Sequence, residues 1–309
     1  EHEGIMVLPD DLTSGDDFMS AYGYKYLSLE LDITPNRPDA FSHQGVARDI
    51  AAATNREFMP LSIESVQSKG IESLSITMEN PDDCPRYIGG IVKNVQVGPS
   101  PEWMVERLKA AGQRSINNLV DISNYVLLEM GHPTHIFDYD KLEQKEIHIR
   151  RAKKGESLTT LDEANHELNE TQLLITNGKT PIALAGVMGG LDTAVSEETK
   201  SVLVESAYFD TVTTRKSAKS LHMNTDASKR FERGADPEGA VNGFWRVVSL
   251  LQELAGGELV SDMVDEYPKQ ITQSEIILRR SELDLVLGHY VECKDVDRFL
   301  EALGFDHSY

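Results

Sequence analysis

The sequence predicts an α+β fold, with mixed or antiparallel sheets packed against helices. Short apolar and polar alternations follow one another over residues 147–175, as in strands that are joined by tight turns. Segments with helical start and stop residues lie on both sides of this region, over 100–130 and 211–255. Strands and helices that are grouped in this way are typical of α+β proteins.

Composition limits the classes of protein to which the chain can belong. Its 309 residues are 40% hydrophobic and 26% charged, which is ordinary for a globular protein with two or three domains. No apolar run is long enough to span a membrane and no signal-peptide pattern opens the chain, so we expect a cytoplasmic protein with no membrane partner. Cys84 and Cys293 form neither a disulfide framework nor a zinc spacing, and no metal site is expected.

The first 72 residues are predicted to hold one strand and one helix. Residues 26–33 alternate as a half-buried strand does, and two prolines then end it. Asp39 or Ser42 is the predicted N-cap of a helix that runs to Ala53, and residues 61–72 form a polar linker. Because the first residue is Glu1 rather than Met, we expect a piece of a longer protein.

The middle of the chain begins with two predicted strands, over 74–78 and 87–97. A helix follows, with Ser100 as its predicted N-cap and Gly112 just past its end. His135 comes next after a further helix, in a segment that we interpret as a loop, where a lone histidine is more often structural than catalytic.

That further helix, predicted over 115–130, carries a polar stripe. Asn117, Asp121 and Asn124 recur at i, i+4 and i+7, and apolar residues surround them. The stripe faces either a cavity with a hydrogen-bonded partner or the solvent, and the sequence leaves both interpretations open.

Residues 173–209 combine a hairpin, a glycine cluster and a single acid. Asn177-Gly178 predicts the hairpin, residues 186–190 hold three glycines, and Glu205 interrupts an otherwise apolar strand over 202–209. Glycines at a strand end let a ligand approach the backbone, whereas a carboxylate in an apolar strand is costly unless it is paired. These features predict a pocket with amides on one wall and an acid on the other. The alternative is a tight turn with an outward-facing glutamate.

A basic segment lies in this otherwise acidic chain, whose formal charge is −21. Its candidate phosphate-binding residues are Lys216, Lys219, Lys229 and Arg230. The alternative is a solvated helix face. A helix is predicted over 238–255, and residues 276–305 look like the start of a further small module.

Six blocks of the sequence, in the family's order, resemble the β subunit of bacterial phenylalanyl-tRNA synthetase. They are LDITPNRPDAFSHQGVARDIAA, CPRYIGGIV, INNLVDISNYVLLEMGHPTHIFD, AGVMGG, VLVESAYFD and TDASKRFERGADP. The resemblance implies that residues 1–60 end an N-terminal domain, that 73–267 form a B3/B4 editing module, and that 275–309 begin a truncated B5-like domain.

The resemblance also implies a function, which is hydrolysis of tyrosine that has been wrongly attached to tRNA(Phe). Partners would be tRNA(Phe) and the α subunit of an α2β2 heterotetramer. Aminoacylation takes place on that other subunit, so this chain needs no cofactor, although the full enzyme uses ATP and Mg²⁺. Two alternatives are a structural, tRNA-docking segment without catalysis and a free-standing trans-editing protein.

The resemblance assigns site residues by motif. The implied catalytic residues are His135, Asn124 and Thr225. The implied substrate-binding residues are Glu205, Gly186, Gly189, Ser123 and Ala227. Ser123 stands where relatives have threonine, and the replacement of threonine by serine keeps a hydroxyl at this position. With no cysteine nucleophile or metal cluster evident, water is the expected attacking group.

Overall fold

The computed structural model describes residues 12–21 and 26–308, which form nine α-helices, three short 3-10 helices and twelve strands. The helices are α1 (Phe18–Ala21), α2 (His43–Thr54), α3 (Glu102–Ala110), α4 (Asn118–Met130), α5 (Thr211–Ser220), α6 (Asp226–Phe231), α7 (Gly239–Ala255), α8 (Arg280–Leu287) and α9 (Cys293–Ala302). None of the helices in this part of the chain is long and apolar enough to cross a membrane.

All twelve strands lie between α2 and α8 in the chain. They are β1 (Ser75–Met78), β2 (Arg86–Lys93), β3 (Thr134–Asp138), β4 (Glu146–Arg151), β5 (Ser157–Thr159), β6 (Asn165–Glu167), β7 (Leu173–Asn177), β8 (Thr180–Leu184), β9 (Met188–Gly189), β10 (Ser201–Tyr208), β11 (Glu258–Leu259) and β12 (Val264–Glu266).

Two five-stranded sheets form the centre of the protein. The first has the order β1-β4-β7-β8-β9, with β1 parallel to β4 and the other pairs antiparallel. The second has the order β11-β2-β10-β3, with β12 also pairing with β2, and is antiparallel throughout. Strands β5 and β6 form a separate hairpin. The predicted α+β class with mixed and antiparallel sheets is confirmed.

The second sheet separates two cores because successive side chains of a strand point to opposite faces. On β10, Val202 and Val204 join a core with residues of α4 and α7, including Phe244. Leu203 and Ala207 join the other core, which contains residues of the first sheet. The side chain of Glu205 lies on the same face of β10 as Leu203 and Ala207, so it points between the two sheets.

The predicted strand over residues 26–33 is wrong, since this segment has no regular secondary structure. Leu27 and Leu29 are 88% and 74% exposed. An alternating pattern forms a strand only when a neighbouring strand satisfies its backbone, and no described strand pairs with this segment. The helix α2 is as expected, and Ser42 caps it by accepting a hydrogen bond from the Gly45 N–H. Residues 61–72 lack regular structure apart from one bridge, which joins Glu72 to Ser261.

For two of its three residues, the polar stripe on α4 meets hydrogen-bonded partners, whereas Asn124 is half-buried. Asn117 is the helix N-cap and accepts from two backbone amides. Asp121 accepts from the hydroxyls of Ser100 and Ser115 at 2.6 and 2.5 Å and from the Ile116 N–H at 2.8 Å. The prediction that Ser100 caps α3 is therefore wrong. Its hydroxyl donates to Asp121, and Pro101 occupies the N-cap position.

The helices α8 and α9 follow the sheets and leave large apolar side chains exposed, among them Leu285 and Val286. One contact ties α9 to α2, where the Arg298 guanidinium donates to the Ala52 carbonyl at 3.0 Å. The division into three domains, at residues 1–60, 73–267 and 275–309, stays a prediction.

Candidate functional site

A small cavity lies between the two sheets. Its volume is about 70 Å³, and β3, β7, β8, β9, β10 and α6 all contribute to its lining. Five residues that the sequence predicted for the site line this cavity: His135, Gly186, Gly189, Glu205 and Ala227. They come from four separate segments of the chain, so the fold brings together residues that are up to 92 positions apart, from His135 to Ala227.

Glu205 is only 6% exposed and has one hydrogen-bond donor, the Tyr87 hydroxyl, at 3.1 Å from Oε2. Burial raises the pKa of Glu205 to about 8, and the hydrogen bond from Tyr87 opposes this rise. The carboxyl is therefore mostly protonated near neutral pH. A buried acid that lines a cavity and has one oxygen free of hydrogen bonds within the described chain is able to recognise a hydroxyl group.

His135 lies opposite Glu205 in the ladder between β3 and β10, on the same face of the sheet. We predicted a loop at this position, which is wrong, because residues 134–138 pair with β10. The imidazole contacts Phe137 edge-on at 4.4 Å between ring centroids. Its Nε2 is buried and has no hydrogen-bond partner in the described chain. Burial lowers the pKa of His135 to about 4, so the ring is neutral near neutral pH.

Position 189 requires glycine because the His135 ring occupies the space that a side chain at this position would fill. A Cβ on Gly189 would lie 2.5 Å from Cε1 and 2.6 Å from Nε2 of His135. Such distances are shorter than any real van der Waals contact. Close approach, rather than an unusual backbone angle, therefore requires glycine here.

Gly186 has a different reason to be glycine, since it turns the chain between β8 and β9 with φ +68°. Within this turn the Val187 N–H donates to the Leu184 carbonyl, and the Gly190 N–H donates to the Ile182 carbonyl. These two amides already have acceptors, so the predicted amide wall cannot include them.

The other three predicted residues lie outside the lining of the cavity, and two of them, Ser123 and Thr225, support it. The Ser123 hydroxyl donates to the carbonyl of Thr134, a lining residue, at 2.7 Å. Thr225 caps α6, and its hydroxyl donates to the Val187 carbonyl at 2.8 Å, which ties α6 to the glycine turn. Asn124 is half-buried on α4.

A second depression, of about 540 Å³, lies between α2 and α9 and includes Arg48, Phe58 and Glu301. It shares no residue with the inter-sheet cavity, and none of the predicted site residues lines it. We therefore place the candidate site between the sheets.

Comparison with known proteins now identifies the family. A family model described as "B3/4 domain" matches residues 83–256, which include the strands and helices around the cavity. The chain belongs to the B3/4 domain family.

Relatives of this B3/4 protein are phenylalanine–tRNA ligase β subunits. That of Carboxydothermus hydrogenoformans is 43% identical over 302 residues, and that of Geobacillus kaustophilus is 42% identical over 305 residues. Each alignment covers 98% of this chain but only 38% of the relative, so the chain spans well under half of their length. The resemblance that the six blocks indicated is confirmed.

A solved structure is also similar to the B3/4 protein. It is an N-terminal fragment of the phenylalanyl-tRNA synthetase β subunit from Pyrococcus horikoshii, at 17% identity. The match covers 87% of this chain and 74% of that fragment, with a TM-score of 0.41.

Sequence reasoning missed several residues of the B3/4 cavity. The most important is Tyr87, which lies behind the lining and donates a hydrogen bond to Glu205, while Met188 and Phe231 line the cavity themselves. The sequence carries no local signal for these contacts, since Tyr87 and Glu205 are 118 positions apart and meet only through strand pairing.

The basic segment is only partly available to a ligand. Lys216 and Lys219 are exposed on α5, and Lys229 is half-exposed with Asp226 at 3.8 Å. Arg230 is buried, and its guanidinium donates to the Phe41 carbonyl at 3.0 and 3.2 Å. Arg230 therefore links Phe41 to α6 through hydrogen bonds, and its charge is not available on the surface. It should be removed from the predicted phosphate-binding set.

Proposed function

We propose that this chain is the post-transfer editing part of a phenylalanyl-tRNA synthetase β subunit and hydrolyses tyrosine wrongly esterified to tRNA(Phe). The observation that carries the proposal is the pair formed by Glu205 and His135. These two residues are neighbours on one sheet face and line one cavity.

The lining of the cavity supports the discrimination that the proposed function needs. Tyrosine differs from phenylalanine by one hydroxyl, and an apolar pocket rejects an added hydroxyl only ~100-fold. Glu205 provides a polar partner for that hydroxyl. Bound phenylalanine would leave the second oxygen of the same buried carboxyl without a partner, which costs ~1–3 kcal/mol.

The reaction is ester hydrolysis, and water is the proposed nucleophile. Among residues 12–21 and 26–308, no three His, Cys, Asp or Glu side chains are grouped as metal ligands would be. The neutral imidazole of His135 has a buried Nε2 with no protein partner, so it is suited to hold the attacking water or the amino group of the substrate. Amides of the glycine turn other than those of Val187 and Gly190 are the candidates for holding the ester carbonyl.

Ser123 and Thr225 contribute indirectly in this proposal. Their hydroxyls hold the carbonyls of Thr134 and Val187, which are lining residues, and so they keep two walls of the cavity in place. Asn124 is proposed to orient the substrate from α4, as the family motif implies. Ala227 is small, so it leaves room in the cavity beside Glu205.

The partners belong to the same proposal. They are tRNA(Phe) and the α subunit in an α2β2 heterotetramer in the cytoplasm. The ATP and Mg²⁺ of the whole enzyme act on the α subunit. The exposed lysines of α5 are proposed to contact phosphates at the acceptor end of the tRNA.

We expect the affinity of the chain for tRNA(Phe) to fall steeply with salt. Replacing Lys216 and Lys219 with glutamate should reduce the slope of log K against log salt by about two, because each phosphate contact contributes about one. Filter binding over a salt series measures this slope. Lys179→Glu, on the β7–β8 hairpin, is the control for charge alone and should keep the wild-type slope. An unchanged slope in the double variant would make α5 a solvated surface.

Deacylation by the chain itself tests the proposed function. The chain is mixed with Tyr-tRNA(Phe) or Phe-tRNA(Phe), and loss of the esterified amino acid is followed over time. We expect faster loss of tyrosine than of phenylalanine. Binding of tRNA by a folded chain without hydrolysis above the buffer rate would favour the structural, tRNA-docking alternative.

A further inference from the structure

Tyr87 and Glu205 project from the same face of the second sheet, on the neighbouring strands β2 and β10. Gly89 lies directly opposite Glu205, and Tyr87 lies opposite Ala207, so Tyr87 is the diagonal neighbour of Glu205. Because Gly89 has no side chain, nothing from β2 stands between the tyrosine hydroxyl and the carboxyl.

The position of the Tyr87 hydroxyl is fixed by packing. The side chain is fully buried, and its ring contacts Phe209 edge-on at 6.5 Å between centroids. Its hydroxyl donates to Glu205 Oε2 at 3.1 Å. Within the described chain, this is the hydrogen bond that the Glu205 carboxyl receives.

We propose that Tyr87 is a positioning residue that sets the specificity of the cavity by holding Oε2 of Glu205, which leaves Oε1 to meet the hydroxyl of a bound tyrosyl group. This inference rests on the proposed function and names a specificity residue for it.

The hydrogen bond also decides which oxygen carries the proton. Since Tyr87 donates to Oε2, the proton of the neutral carboxyl lies on Oε1 and is donated to the phenol oxygen of the ligand. When the carboxyl is ionised, Oε1 accepts the phenol O–H instead. Phenylalanine has neither a phenol oxygen to accept this proton nor a phenol O–H to donate. Discrimination between tyrosine and phenylalanine therefore depends on Oε1 in both protonation states of the carboxyl.

Three titratable side chains surround Glu205. Tyr87 approaches from β2, His135 from β3, and Cys84 from the segment before β2. Burial lowers the pKa of His135 and raises the pKa of Cys84, so both are uncharged near neutral pH. The Tyr87 hydroxyl is therefore the neighbour that favours the ionised form of Glu205. Removing it should raise the pKa of Glu205.

Tyr87→Phe tests the proposal because it removes a single oxygen and leaves the ring. In single-turnover hydrolysis, we expect the ratio of the tyrosine rate to the phenylalanine rate to fall about five- to tenfold, the loss typical of one hydrogen bond. The fall should vanish in the Glu205→Ala background if Tyr87 acts through that carboxyl. Tyr125→Phe is the matched control, since it removes a hydroxyl that Arg107 contacts in the other core.

A second readout needs no hydrolysis. In protein with ¹³C-labelled glutamate, the Glu205 carboxyl resonance, assigned by its loss in Glu205→Gln, is titrated by NMR. We expect Tyr87→Phe to raise its midpoint by about one pH unit. A wild-type chain that fails to hydrolyse Tyr-tRNA would count against the proposed function, while this titration would still decide the role of Tyr87. An unchanged midpoint and ratio, or a Tyr87→Phe chain that does not fold by circular dichroism, would overturn the proposal.

Discussion

Gly189→Ala should reduce the hydrolysis of Tyr-tRNA(Phe) at least about 100-fold, since displacing a reacting group by about 1 Å costs roughly that much. The added Cβ would lie 2.5 Å from the His135 ring, which is buried and packs edge-on against Phe137. The ring must move, and with it the atom that we propose to hold water. Gly189→Trp would in addition fill the cavity.

A matched control separates this effect from the loss of any glycine. Gly98 has open space where a Cβ would lie, so Gly98→Ala should keep the wild-type rate. Rates are compared only between variants with wild-type circular dichroism spectra. Wild-type hydrolysis by a folded Gly189→Ala chain would mean that this cavity is not the site.

Glu205→Gln should stabilise the folded chain, and the gain should grow as the pH rises. In the folded state burial raises the pKa of Glu205 from 4.5 to about 8. Between these values the folded chain binds more protons than the unfolded chain, so the free energy of unfolding of the wild type decreases with rising pH. Glutamine does not ionise and escapes this cost. The difference should be near zero at about pH 4.5 and on the order of 3 kcal/mol at about pH 7.

Urea denaturation over a pH series measures this difference. Glu167→Gln, which changes an exposed glutamate on β6, is the control and should leave the pH dependence unaltered. If Glu205→Gln is less stable than the wild type across the whole range, Glu205 is held as a carboxylate by contacts stronger than the hydrogen bond from Tyr87.

Local signals in the sequence were enough for much of the fold. The Asn177-Gly178 hairpin forms, with φ +59° at Gly178, because its turn residues act on their immediate neighbours. The alternation of β10 likewise shows that Glu205 shares a face with apolar residues. Residues 26–33 carry the same kind of pattern but form no strand, because a strand also needs a partner that the local sequence does not supply.

The contacts that define the site depend on distant pairs, which is why the sequence did not reveal them. Arg230 is buried and donates to the carbonyl of Phe41, 189 positions away, although its charged neighbours indicated a surface residue. His135 reaches Glu205 only through the β3–β10 register. The family motifs supplied the candidate residues, and the geometry then divided them into cavity lining and support.

The most direct test of the account is the ratio of the hydrolysis rates of Tyr-tRNA(Phe) and Phe-tRNA(Phe) in the wild type and in Glu205→Ala. The account predicts that the variant hydrolyses Tyr-tRNA more slowly, because it loses a hydrogen bond that is worth ~0.5–1.5 kcal/mol with the neutral carboxyl and ~1.5–3 kcal/mol with the ionised one. Hydrolysis of Phe-tRNA should hold steady or rise, because the variant has no buried carboxyl oxygen that phenylalanine would leave without a hydrogen-bond partner. Equal slowing of both substrates would show that Glu205 serves the chemistry or the fold, and would contradict recognition of the hydroxyl.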